Sequence, residues 1–98
     1  MTKTQIRARV RKLYDRIQDL IEGELSDIIS EIEMLKDESE ETRDYIEPYE
    51  GCNELSEEQE ERIEWLDSAV NSLDDALSNL QEVSDNLEYT QSSLEEIE

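Results

Sequence analysis

Residues 63–97 read IEWLDSAVNSLDDALSNLQEVSDNLEYTQSSLEEI. Leu66, Leu73, Leu80, Leu87 and Leu94 recur every seventh residue, and Ala69, Ala76, Val83, Thr90 and Ile97 each follow a leucine by three. Apolar residues in steps of three and four mark one face of an α-helix, and a two-position heptad kept for more than four repeats marks a coiled coil. Ile63, Val70 and Leu77 add a flanking stripe that gives way to polar residues at Ser84 and Gln91. The apolar face is therefore wide near Trp65 and narrow toward Ile97. A wide face needs more than one neighbour.

The same rhythm runs upstream. Ile6, Val10, Leu13, Ile17, Ile21, Leu25, Ile28, Ile32 and Leu35 are followed, on the same face, by Thr42 and Ile46. Between Ile17 and Leu25 the spacing carries one residue too many for a heptad, a stutter that lies beside Gly23. Glycine weakens a helix interior by about 1 kcal/mol relative to alanine, so a kink or a change of packing is expected there.

The one clear break is Glu47-Pro48-Tyr49-Glu50-Gly51-Cys52-Asn53-Glu54-Leu55. Pro48 disfavours helix at Glu47, and Gly51 offers a left-handed turn. Ser56 and Gln59 form a capping box, and Glu57 and Glu58 suit the positive end of the helix that follows. These signals predict helices over 4–46 and 56–97 joined by a loop over 47–55, a single domain spanning 1–98. Equal helices joined by a short loop make an all-α, antiparallel two-helix coiled-coil hairpin. Pairing of two hairpins into a four-helix dimer is the simplest cover for the wide face.

Charge is distributed unevenly. The 98 residues carry 29 Asp and Glu against nine Lys and Arg, no His, and a net charge of −20. Lys3, Arg7, Arg9, Arg11, Lys12 and Arg16 face only Asp15 in the first 16 residues, whereas 13 carboxylates lie between Asp37 and Glu64. An antiparallel hairpin brings the basic start beside Glu95, Glu96 and Glu98, which helps to set the register. With Leu35 and Ile46 on the seam, Asp37, Glu40, Glu41, Asp44 and Glu47 fall on the outward face. Together with Glu50, Glu54, Glu57, Glu58 and Glu61 they form the candidate partner-binding surface. Tyr45, Tyr49 and Trp65 cluster near the tip, where they are expected to cap the core; the alternative is that they anchor a partner, with Tyr45 and Tyr49 joining the binding surface.

Catalysis has little to work with. There is no His, no phosphate-binding glycine loop and no nucleophile with a base at usable spacing, so no catalytic, cofactor-binding or metal-binding residue is assigned. Glu57, Glu58 and Glu61 with Glu82 and Asp85 match the carboxylate pattern of all-helical nucleotide pyrophosphohydrolases. Both halves fall on one helix, about 36 Å apart by helical rise, too far to share an ion. Cys52 is a lone loop thiol without the electropositive setting that reactivity needs. The basic start, with only Tyr14 interleaved, is assigned to pairing within or between chains rather than to nucleic acid. No apolar run is long enough for a membrane span or a secretory leader, so the expected location is the cytoplasm, that of the host if a phage encodes the chain.

The acidic body has a charge density comparable to DNA, which carries one charge per about 1.7 Å of duplex axis. In size, helicity and charge the chain resembles the acidic helical DNA-mimic inhibitors of phages and mobile elements, some anti-CRISPR proteins among them. That resemblance implies a non-catalytic inhibitor or regulator occupying the basic groove of a nucleic-acid-binding protein. The competing expectation is a coiled-coil assembly or scaffold module whose acidity provides only solubility and pairing register. A further likeness, to small helical hairpins with Trp-x-Gly in the turn, fails at Trp65, which is followed by Leu66 and Asp67.

Overall fold

A computed structural model describes residues 1–97 of the chain. The protein is an all-α helical hairpin. Its elements are α1 (Lys3–Leu20), a five-residue π-helical segment (Ile21–Leu25), α2 (Ser26–Asp44) and α3 (Glu57–Glu95), with no strand among the described residues. Two compact units are distinguished: Met1–Ser30 with Ser78–Glu98, and Glu31–Leu77. Glu98, expected to pair with the basic start, lies outside the described residues.

The helix starts are fixed by two neutral capping boxes. Thr2 Oγ1 accepts from the Gln5 amide at 3.2 Å while Gln5 Oε1 accepts from the Thr2 amide at 2.9 Å. Ser56 and Gln59 repeat the arrangement at the same distances. The first helix ends at Asp44 and the second at Glu95, each two residues before its sequence-based boundary. In the connection the Cys52 amide donates to the Tyr49 carbonyl at 2.9 Å, closing a four-residue turn. Gly51, third in that turn, has φ +84°, and among the described residues no non-glycine residue has positive φ. A type II turn demands this, and glycine meets it without strain.

In the unit of Met1–Ser30 and Ser78–Glu98, α1 contributes Val10, Tyr14 and Ile17, and the following turns contribute Ile21, Leu25 and Ile29. The sequence stutter is resolved here. Ile17, Ile21, Leu25 and Ile29 stand in three successive steps of four, one residue more than a heptad allows. The wider π turn absorbs that residue and keeps Leu25 buried. From α3 come Leu80, Ser84, Leu87, Gln91 and Leu94. Gln91 is 5% exposed, and its Nε2 donates to Gln18 Oε1 at 2.9 Å and to the Tyr14 carbonyl at 3.3 Å. The expected ion pairs between the basic start and Glu95 or Glu96 are not formed. Glu95 instead lies beside Tyr14, and its carboxylate raises the Tyr14 pKa above its ordinary value.

In the unit of Glu31–Leu77, Leu66, Val70 and Leu77 are buried and Ile32, Ile46, Ile63 and Leu73 half-buried. This corrects the seam of α3. The leucines pack with Ile63, Val70 and Leu77, continued by Ser84 and Gln91, whereas Val83, Thr90 and Ile97 are exposed. Val70 and Leu77 bury more apolar area than Ala69 and Ala76, so the helix turns toward them. The first helix is turned likewise: Tyr14, Ile29, Lys36 and Arg43 take the inward places expected of Leu13, Ile28, Leu35 and Thr42.

Candidate functional site

All twelve residues expected to bind a partner belong to the unit Glu31–Leu77. Asp37, Glu41 and Asp44 are exposed on α2, and Glu40 beside them is half-buried. Tyr45, Glu47, Tyr49, Glu50 and Glu54 are exposed in the connection, and Glu57, Glu58 and Glu61 on the first turns of α3. Across residues 31–77 there are 18 Asp and Glu against Lys36, Arg43 and Arg62.

The two half-buried cations hold the helices together. Lys36 Nζ meets Asp74 Oδ1 at 2.9 Å, and Arg43 Nη1 meets Asp67 Oδ1 at 2.8 Å. Lys36 and Arg43 are seven residues apart, as are Asp74 and Asp67, so one antiparallel register makes both pairs. The hydrogen bond that Lys36 donates to Asp74 raises the Lys36 pKa, and those that Arg43 donates to Asp67 and then Asp44 raise that of Arg43. Asp44 lies 3.3 Å from Arg43 Nε, so its charge is partly answered. These cations were not singled out in the sequence because Leu35, one residue away, fitted the apolar rhythm better. Leu35 is 51% exposed and off the seam. The matched seven-residue spacing of the four charges was the signal that could have found them.

The aromatic residues do not cap a core. Tyr45, Tyr49 and Trp65 are 81%, 60% and 69% exposed. Tyr45 and Tyr49 border a shallow depression with Ile46, Glu47, Glu58, Gln59 and Arg62. Gln59 Nε2 donates to the Glu47 carbonyl at 2.6 Å, tying the connection to the first turn of α3 and fixing the depression's floor. The result is a surface of carboxylates, a few rings and one exposed cation, Arg62.

Among the described residues no group of three Asp, Glu or Cys side chains is arranged to hold a metal ion, and no helix is long and apolar enough to cross a membrane. Set against known proteins, the chain matches no protein family, no curated protein and no solved structure. The functional reading therefore rests on the chemistry of this surface.

Proposed function

We propose that the chain is a non-catalytic acidic binding protein that inhibits or regulates a nucleic-acid-binding protein by occupying its basic groove. One observation carries the reading. In the unit Glu31–Leu77, 18 carboxylate residues stand against three cations, and two of those cations are spent on interhelix pairs. Closely spaced like charges on helical backbone attract a phosphate-binding groove from a distance, and the complementary pattern then sets orientation. Folded helices present those charges without the ordering cost that a disordered acidic tail incurs on binding. Tyr45 and Tyr49 supply apolar contacts that charge alone lacks. Action of this kind is that of the acidic inhibitors of phages and mobile elements, anti-CRISPR proteins included.

The test is competition. A nucleic-acid-binding protein captured by the chain should lose its labelled duplex as the chain is added, and capture should weaken steeply between about 50 and 300 mM salt. Replacing Glu41, Glu47, Glu57 and Glu61 by Lys should abolish capture with helix content unchanged, while Glu96→Lys should matter far less. Equal capture by the fourfold variant, or no displacement of nucleic acid, would reject mimicry. The second reading, an assembly module, is favoured by a different observation: apolar side chains in heptad register remain exposed on α1.

A further inference from the structure

We infer that the unit of Met1–Ser30 and Ser78–Glu98 is an interface for a second copy of this chain, joined side by side through one apolar face. The face begins on α1. Ile6, Leu13 and Leu20 recur every seven residues, and Ile28 follows after the one-residue excess that the π segment absorbs. They are 38–47% exposed, as are Val83 on α3 and Ile97 just beyond that helix's end. Neither stripe belongs to the seam.

Their position follows from helix geometry. On α1 the exposed stripe lies roughly 75° to one side of the seam, in the counterclockwise sense viewed from that helix's start. On α3, Val83 and Thr90 lie about the same angle away in the same sense, viewed from that helix's own start. The two helices run antiparallel, so equal rotations carry both stripes to the same side of the pair. Beside the α1 stripe a groove is lined by Leu13, Arg16, Ile17 and Leu20.

Charge selects the occupant. No described carboxylate lies within ion-pairing distance of Arg9, Lys12 or Arg16, which border the face on α1, and Glu96, in the turn after α3 near the far border, has no described cation. A face basic along one edge and acidic along the other is complementary to itself, as a two-fold interface requires. With the two-fold axis along the helices, α1 of one copy lies against α3 of the other, and Lys12 and Arg16 meet the partner copy's Glu96. A purely basic or purely acidic partner would leave one edge facing its own sign. The inference is separate from the proposed mimicry, which uses the other unit.

Sedimentation of the whole chain at about 100 μM should give about 23 kDa, twice the chain mass of 11.5 kDa. Leu13→Glu with Leu20→Glu should sediment as the single chain and keep its circular dichroism. If that variant loses helix, a charge exchange decides. Lys12→Glu/Arg16→Glu and Ser93→Lys/Glu96→Lys should each be monomeric alone, because each gives both edges one sign, and should form a mixed dimer when combined. A monomeric wild type, an intact dimer of the Leu13/Leu20 variant, or no mixed dimer from the two charge variants would overturn the inference.

Discussion

Gln59 accepts from the Ser56 amide and donates to the Glu47 carbonyl, so one side chain caps α3 and anchors the connection. A carboxylate in its place could only accept. Gln59→Glu keeps the acceptor, loses the donor and adds a charge among carboxylates. Amide exchange over residues 45–52 should accelerate severalfold while α3 remains protected, which exchange mass spectrometry would read. Gln91 poses a different problem because it is buried. Gln91→Ala leaves the Gln18 oxygen without that donor and opens a gap, and should cost about 1–2 kcal/mol in urea unfolding. Replacing Gln18 and Gln91 together by Leu should recover that loss or exceed it, since an apolar pair has nothing to desolvate. Neither role was legible in the sequence. Gln91 reads there as the place where an apolar stripe fades, because burial of a polar residue depends on the partner helix supplying hydrogen bonds.

At the scale of the element, the π segment converts an irregular spacing into a continuous buried face. Continuing the Lys36–Asp74 register would set Gln18 opposite Ser92; it meets Gln91, the offset expected from one extra residue. Deleting Gly23 should therefore restore the heptad, leave helix content unchanged and hold or raise Tm, whereas deleting Glu33 should shift the seam and lower Tm. Gly23→Ala is the milder test: nothing lies within 4 Å of an added Cβ, and alanine should add about 1 kcal/mol, or roughly 4–8 °C in Tm. The helices, the break, the Ser56 cap, the Gly51 turn and the stutter were all readable from spacing. The rotation of the helices was not. Two adjacent stripes on each helix are apolar, and only the trade between Val70 and Ala69, or Leu77 and Ala76, together with the Lys36 and Arg43 pairs, decides which faces inward. Of the candidate surface, the exposure of every carboxylate but Glu40 was readable; Trp65 and the tyrosines do not cap the core as expected, because a ring suits a core or an interface equally well.

Across the whole molecule, a net charge of −20 means that folding gathers like charges. Added salt should raise Tm by screening that repulsion, and neutral salts compared at equal ionic strength should act alike. The alkaline limb has a different cause. Tyr14 and Lys36 hold their protons more tightly in the folded state than their ordinary values of 10.0 and 10.5 imply. The stability they contribute is complete below those values and is lost as pH rises through the raised ones, so Tm should fall at the alkaline end. Thermal melts from pH 8 to 11 would show the decline, and Lys36→Met should remove part of it. Acid acts on another feature. Both capping boxes use Gln where Glu would serve equally as an acceptor, so neither helix start carries a titrating group in its cap. Near the isoelectric point of about 4.1 the chain loses the repulsion that keeps copies apart while its helix starts stay hydrogen-bonded. Acidified protein should accordingly come out of solution already folded, and redissolve on neutralisation without having to refold.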